Sequence, residues 1–401
     1  MATFLNALFL QAGYNAALVA LGAALLGFAA GAGGSFLFLR KRALVSDAVA
    51  HATLPGVGLA FIVMVALGGD GRSLPGLLLG SAITAWLGLL GVEWMVRRTR
   101  LSEDAAIGAI LSVFFGIGIV LLTIIQSMSQ GRQAGLEGFL LGSTAGMLFQ
   151  DAVLIAGGGA AVVAIIWLLR RPMTMVAFDP GFAAARGMNV RRVDLAMVGL
   201  VLAVTVIGLK LVGLILIVAL LIIPPVTARF WSERAETVVW AAGVIGAVSG
   251  WVGAALSASA PDLPTGPIIV LISAGLFSLS LLFAPARGVL ASILARRAFQ
   301  ARVHRRQGLL ALSRSEPVHD PLTLRILRRE GLMRADGVAT DKGGIASTRV
   351  ARDERRWSIA RRLHHDTALI GRYDGLTPID EVFTRDEIAQ FDAGLPAAEG
   401  V

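Results

Sequence analysis

The residues with the clearest chemical potential are Asp47 and His51, four positions apart at the start of an apolar segment. On a helix this spacing places both side chains on one face, one turn apart. A carboxylate in a membrane helix costs about 2.5–3.5 kcal/mol at the bilayer centre, so a functional role is the default hypothesis. Carboxylate oxygens and imidazole nitrogens both bind divalent metals. The pair indicates a metal site, although a proton relay or a structural hydrogen bond would use the same groups.

A single chain supplies only two good ligands here, whereas divalent metals take about four to six. Two-fold assembly would bring two copies of Asp47 and His51 to a shared axis. Because the chain has no cysteine, the site would contain only nitrogen and oxygen ligands, which suit manganese, zinc or ferrous iron. For passage rather than storage, such a site must hold its ion loosely. Lys210, inside a later apolar block, is a further candidate for the pathway.

The composition places most of the chain in lipid. Of its 401 residues, 56% are hydrophobic and only 16% are charged, and the mean hydropathy is +0.74. Values of this size are typical of a polytopic membrane protein. Residues 287–401 differ, because they hold 20 of the 36 Lys and Arg residues and 15 of the 27 acidic residues. We therefore predict a membrane domain over 1–286 and a polar tail over 287–401.

The hydropathy pattern predicts about nine transmembrane helices, with eight possible. Residues 193–230 form an apolar block that is too long for one span and short for two, so we expect two short helices meeting near Lys210. The stretch 136–147 is too short to cross twice and is expected to be re-entrant or interfacial. The remaining apolar runs lie at about 14–39, 46–68, 74–96, 104–126, 152–169, 236–257 and 266–284.

Basic residues set the expected orientation, because positive charge favours the cytoplasmic side. With nine spans, all the basic clusters and the tail face the cytoplasm.

Two local features within the spans also predict structure. Gly246 and Gly250 are spaced for close helix packing within the chain, and Pro224 with Pro225 is expected to break its helix.

The polar loop between Pro172 and Asp194 carries a candidate docking element. Asp179 and Pro180 form a helix start, and Gly187 forms a helix stop. A short surface helix between two spans suits a cytoplasmic partner, although a solvated connector would show the same pattern. No segment matches the phosphate-binding loop G-x-x-x-x-G-K-[ST]. Energy for active transport would therefore come from another subunit or from an ion gradient.

Five segments, in order along residues 10–286, resemble the manganese/zinc/iron permease family of bacterial ABC importers. The resemblance implies an all-α polytopic permease of the cell inner membrane that is not an enzyme. It also implies a second permease subunit, identical or paralogous, a dimer of cytoplasmic ABC ATPases and a periplasmic or surface metal-binding protein. The segments are Leu39–Gly56, Glu103–Gly108, Phe139–Ser143, Phe178–Gly187 and Val212–Ala228.

The same resemblance assigns roles to residues of this chain. Asp47 and His51 are expected to line the path and coordinate the ion. The cargo would be Mn²⁺, or Zn²⁺ or Fe²⁺, with no permanently bound cofactor. The expected ATPase-docking residues are Phe178, Asp179, Pro180, Ala184 and Gly187.

The tail resembles the winged-helix metalloregulators of the diphtheria toxin repressor type. We expect helices at Leu309–Leu312 and Pro321–Gly331, two strands around Asp336–Gly337 that extend to Ala346, and a basic helix at Arg352–His365. The prediction is a small cytoplasmic α+β winged-helix-like domain, and similar tails on manganese-type permeases favour manganese as cargo. Its net charge of about +5 is too small for strong DNA binding. We expect a regulatory or subunit-docking role, without nucleic acid as a partner.

Three other hypotheses stay open at this point. An ABC permease for cobalamin or an iron-siderophore would have similar spans but would not need the Asp47–His51 pair. A metal carrier driven by an ion gradient would work without an ATPase. A membrane-bound transcriptional regulator would require the tail to bind DNA.

Overall fold

The computed structural model describes residues 2–69, 71, 73–128, 149–260, 263–363 and 367–394. They form two compact units, Met1–Ala291 and Ser292–Val401. Helices dominate both units, and the β pairing in the described ranges is a single bridge between Met333 and Ala339. The predicted interfacial stretch 136–147 lies outside the described residues.

The first unit is a bundle of mostly long helices. Eight helices of the described part are long and apolar enough to cross a membrane, which confirms the all-α polytopic prediction at the lower of its two span numbers. The helices are α1 (Ala2–Leu8), α2 (Tyr14–Leu39), α3 (Leu44–Ala66), α4 (Leu74–Arg98), α5 (Glu103–Ser127), α6 (Phe149–Phe178), α7 (Pro180–Ala185), α8 (Val190–Arg229), α9 (Ala235–Ser257) and α10 (Thr265–Phe283).

Helix α8 consists of two helices joined at a kink. The backbone at Gly213 has φ 74° and ψ 172°, a conformation open almost only to glycine. Val190–Leu209 is long enough to span, and Leu216–Arg229 is a shorter apolar helix. The apolar block therefore divides close to Lys210, as expected, although its second half falls short of a full span. The Lys210 side chain lies outside the described residues, so its place in a pathway stays a prediction.

The expected helix break at Pro224 and Pro225 is wrong, because α8 continues through both residues to Arg229. Pro225 lacks the amide that would bond to the carbonyl of Leu221. That carbonyl oxygen instead lies against α2, where an added Cβ at Gly34 would overlap with it. Packing against α2 thus keeps the helical path despite the lost hydrogen bond.

Helix α2 lies at the centre of the first unit and packs on α6, α8 and α9. Its closest approach is to α9, where the backbones of Gly27 and Gly246 are in contact and a Cβ on either would overlap the carbonyl of the other. Gly250 approaches the carbonyl of Ala23 in the same way. Small residues at this spacing allow dispersion contacts along the helix backbones. The predicted intramolecular role of Gly246 and Gly250 is confirmed.

The second unit is built from helices around two small apolar cores. One core surrounds Trp357, whose ring contacts Tyr373 and Phe383 and whose Nε1 donates to the carbonyl of Thr377 at 3.1 Å. The other contains Leu309 and Leu327. The helices are α11 (Val289–Ser313), α12 (Pro321–Arg329), α13 (Asp341–Leu363), α14 (Thr367–Ile370) and α15 (Arg385–Ala393), with a 3₁₀ turn at Ile379–Glu381.

The predicted winged-helix-like α+β tail is not supported. The segment expected to form the second strand, as far as Ala346, is mostly the start of α13, which begins at Asp341. The hydroxyl of Thr340 accepts from the Gly343 amide at 3.1 Å, so this residue caps the helix, and such a cap is worth about 1 kcal/mol. Of the hairpin, one bridge between Met333 and Ala339 remains, with the Arg334 amide donating to the Val338 carbonyl at 2.8 Å and the Thr340 amide donating to the Leu332 carbonyl at 3.1 Å. Isolated two-stranded hairpins are only marginally stable in water. His364 and His365 lie outside the described residues.

The contact between α2 and α9 predicts a sharp difference between two glycine positions. Gly246→Leu forces backbones apart, so it should destabilise the folded chain by about 1–3 kcal/mol or more. Gly275→Leu in α10 is the matched control, because an added Cβ there meets nothing within 4 Å. Thermal unfolding and the monodisperse fraction in detergent measure the effect. Equal unfolding midpoints for both variants would contradict the packing described here.

Candidate metal site

The candidate metal ligands lie at the first two turns of α3. Asp47 occupies the first turn, where a negative charge interacts favourably with the helix dipole. His51 follows one turn later, and its Nε2 lies 3.4 Å from Oδ1 of Asp47. The structure therefore brings together the two residues that the sequence singled out.

Both side chains remain partly open in the single chain. Asp47 is 33% exposed and His51 is 21% exposed, whereas the neighbouring Ala48, Ala50 and Ala52 are buried. An ionisable face left open within a spanning segment is costly unless it borders protein, water or an ion. Between Val45 and Gly58, Asp47 and His51 are thus the two residues of α3 that are not buried.

The histidine ring is positioned by α5. Phe115 of α5 meets the His51 ring edge-on, with centroids 5.1 Å apart. The other ring nitrogen, Nδ1, is buried and has no hydrogen-bond partner among the described residues. In the most apolar 18-residue stretch of α5, only 11% of the residues are buried. Sequence reasoning missed Phe115, because its contact with His51 spans 64 positions and has no local signal.

The pair can bind one side of a metal ion. Two ligand atoms, each about 2.1 Å from one ion and about 109° apart, are separated by about 3.4 Å, which equals the observed separation. Within the described ranges, no cluster of three or more His, Asp or Glu side chains could hold a metal. Further ligands for an ion at this site would be water, backbone oxygens or groups outside the described part of the chain.

Ion pairs connect the helix ends next to this site. Arg40 donates to Asp194 at 2.9 and 3.1 Å, and Arg42 pairs with Glu103. These contacts fix the segment that leads into α3 against the first turns of α8 and α5. The partners of Glu103 and Asp194 are 61 and 154 positions away, so local spacing in the sequence gives no sign of these ion pairs.

A third cluster lies at the end of α4. Glu93 forms ion pairs with Arg97 at 2.7 Å and with Arg191 at 3.3 Å. Together the ion pairs surround a cavity of about 500 Å³. The starts of α3, α5 and α8 and the end of α4 therefore form one electrostatically connected layer.

The predicted short helix in the polar loop is α7. The carboxylate of Asp179 accepts from the Phe182 amide at 2.8 Å, and Pro180 begins the helix. Gly187 follows with φ 80°. The loop is shorter than expected, because α6 continues through Pro172 to Phe178.

Two aromatic side chains are exposed where α6 ends and α7 begins, whereas a small residue packs α7 against the bundle. Ala183 is fully buried, whereas Phe178 is 59% exposed and Phe182 is 50% exposed. The guanidinium of Arg186 lies 5.8 Å from the Phe182 ring centre. Phe182 was absent from the predicted docking residues, although its place three positions after the Asp179 cap could have marked it.

Comparison with known proteins places the first unit in a family. Residues 14–284 match the model of the ABC 3 transport family. The chain is 41% identical over 298 residues to the manganese transport system membrane protein MntC of Bacillus subtilis (strain 168), covering 74% of this chain and 67% of that protein. It is 36% identical over 279 residues to the zinc transport system membrane protein TroC of Treponema pallidum (strain Nichols), covering 70% and 92%.

A solved structure agrees with this result. PsaBC from Streptococcus pneumoniae in complex with Fab has a TM-score of 0.61 and 30% sequence identity, covering 71% of this chain and 97% of that one. The family match includes α2 to α10 and leaves the second unit outside it. The chain therefore belongs to the ABC 3 transport family, as a multi-pass membrane transport component and not an enzyme.

Proposed function

We propose that this chain is the permease subunit of an ATP-driven importer that moves a divalent transition metal into the bacterial cytoplasm. The observation that carries the proposal is the Asp47–His51 pair, with ligand atoms 3.4 Å apart on the open face of a spanning helix. Family membership supports the ABC mechanism. Manganese is the first choice of cargo, since the relative with 41% identity is named for it, and zinc is the second.

A second permease chain, a copy or a paralogue, completes the site in this proposal. Asp47 and His51 of one chain supply about half of the ligands that a divalent ion takes. A two-fold axis beside α3 and α5 would add the equivalent pair and cover the open face. The low burial of α5 supports this arrangement, because an apolar helix with few contacts in its own chain has surface available for a partner.

Transport then follows from alternating access around the shared site. An outer metal-binding protein delivers the ion, and the carboxylates replace part of its hydration shell while the imidazoles add softer ligands. ATP binding and hydrolysis in a separate ATPase dimer move the permeases between outward and inward access. For release, the shared site must hold the ion loosely. Tail and ATPase would both lie in the cytoplasm.

The other transport hypotheses receive less support. A path for cobalamin or a siderophore has no use for a paired carboxylate and imidazole, and the reported relatives are named for manganese and zinc. A carrier driven by an ion gradient would need no ATPase-docking surface, whereas Phe178 at the end of α6 and Phe182 of α7 are both exposed. Both features favour the importer of a free ion.

Removing either proposed ligand should stop metal accumulation. Loss of a supporting residue around a metal typically costs 10–100-fold, so Asp47→Ala and His51→Ala should each lower uptake by at least about tenfold. The measurement is radioactive manganese uptake by the complex reconstituted in proteoliposomes, with assembly checked by size-exclusion chromatography.

The control for this experiment is Ser278→Ala in α10. That hydroxyl donates only to the carbonyl of Ala274, at 2.9 Å, so its removal deletes a polar group from a span without touching α3. Uptake should remain normal in this variant. Wild-type uptake in Asp47→Ala or in His51→Ala would remove that residue from the ion path.

The exposed Phe178 at the end of α6 and Phe182 of α7 predict where the ATPase docks. Truncating exposed aromatic anchors at an interface often costs more than 1 kcal/mol each, so the double variant Phe178→Ala, Phe182→Ala should weaken ATPase binding by about tenfold or more. Binding of the purified ATPase to the permease in nanodiscs gives the readout.

Phe149→Ala is the matched control, because this residue lies at the opposite end of α6 and is 62% exposed. It removes the same side chain from the other side of the bundle and should leave the affinity unchanged. Equal affinity for the double variant and for wild type would exclude α7 as the docking element.

A further inference from the structure

A cleft in the second unit is lined by arginines from two helices. It has a volume of about 1010 Å³ and lies between α11, α13 and the 3₁₀ turn. This is at the upper end of the range of about 300–1,000 Å³ usual for small-molecule sites. The arginines that line it are Arg302, Arg305 and Arg306 of α11 and Arg349, Arg352 and Arg356 of α13.

Three of these arginines are held in place by carboxylates. Arg305 pairs with Glu330 at 2.7 Å, and Arg356 pairs with Asp392. Arg306 donates to Glu354 at 2.7 Å and to Asp353 at 3.3 Å. The pKa of Glu354 lies below its ordinary value: burial acts to raise it, but hydrogen bonds from Tyr373 and Arg306 outweigh that effect. These contacts fix the walls of the cleft.

The other three arginines form no close ion pair in the described part of the chain, although the charge of Arg352 contributes, after Arg356, to lowering the pKa of Asp392. Arg302, Arg349 and Arg352 are exposed and form no ion pair or side-chain hydrogen bond with any residue that the structure describes. Arg349 and Arg352 lie three positions apart, so they share one face of α13, and Arg302 comes from the other helix. Guanidinium groups bind phosphate oxygens through paired hydrogen bonds, which makes such a group of arginines a phosphate-recognition site.

Acidic groups limit the length of the ligand. Asp380 and Glu381 also line the cleft, and both are exposed at the 3₁₀ turn. A nucleic acid backbone running through the cleft would bring phosphates against these carboxylates, which like-charge repulsion disfavours. A short anion can instead occupy the arginine side alone.

We propose that this cleft binds a small ligand carrying two or more phosphate groups, held by Arg302, Arg349 and Arg352. Two sources offer this chemistry: a soluble polyphosphate such as a nucleotide, and the headgroup of a phospholipid with two phosphates. The site is independent of the metal path and gives the second unit a ligand of its own. It also explains why one cleft concentrates arginines in a tail whose net charge is modest.

The test uses the full-length chain in nanodiscs, without ATPase. In one arm, nanodiscs of neutral lipid are titrated with inorganic triphosphate and then with ATP, and binding is followed by calorimetry. In the other arm, nanodiscs contain cardiolipin, and native mass spectrometry measures the lipid retained by the chain. We expect saturable binding that weakens with salt in one of the two arms, and the responding arm identifies the source.

The deciding comparison is between two variants of α13. Arg349→Gln with Arg352→Gln should weaken binding by about tenfold or more, since each guanidinium would supply charge-assisted hydrogen bonds to the phosphates. Arg355→Gln removes an exposed arginine of the same helix that does not line the cleft, and it should change binding less than about twofold.

Three results would overturn the proposal. The first is the absence of saturable binding in both arms. The second is a double variant that binds as tightly as wild type. The third is random-sequence duplex DNA that binds more tightly than triphosphate and displaces it, which would assign the cleft to nucleic acid. Thermal unfolding of each variant keeps the comparison meaningful, because all three substituted residues are exposed and folding should be unaffected.

Discussion

A carboxylate in a membrane-spanning helix is stable only where something replaces its lost hydration. Asp47 receives part of that replacement from the start of α3 and from His51, at 3.4 Å. The Asp47 side chain nevertheless remains 33% exposed. Most residues of the adjoining apolar α5 are also not buried. The proposed two-fold assembly resolves both features at once, because one interface would cover the apolar surface and supply the missing ligands for a cation.

The rest of the first unit supports that face. Backbone contacts between α2 and α9 form a tightly packed centre, and ion pairs such as Arg42–Glu103 connect the lead-in of α3 to α5. Close packing on one side and ion pairs at the helix ends fix the position of α3, and with it the positions of Asp47 and His51. The glycine kink in α8 lies on the same scaffold and leaves a short second helix.

The sequence predicted the spans well, because helix length and hydropathy are local properties. Tyr14–Leu39 matches the prediction residue for residue, and the short helix after Asp179 has its expected cap. Tertiary context decided the failures. Leu221 packs against Gly34, so α8 survives two prolines, and Thr340 caps α13 where a strand was expected. Neither Phe115 beside His51 nor the partner of Arg42 has a local signature.

The proposed transport mechanism depends on one ion bound between two permease chains. Its most direct test is electron paramagnetic resonance of Mn²⁺ bound to the reconstituted complex, combined with metal quantification. We expect one Mn²⁺ per pair of permease chains, with hyperfine coupling to imidazole nitrogen that disappears in His51→Gln. A full complement of Mn²⁺ without nitrogen coupling, or one ion bound by each separate chain, would contradict it.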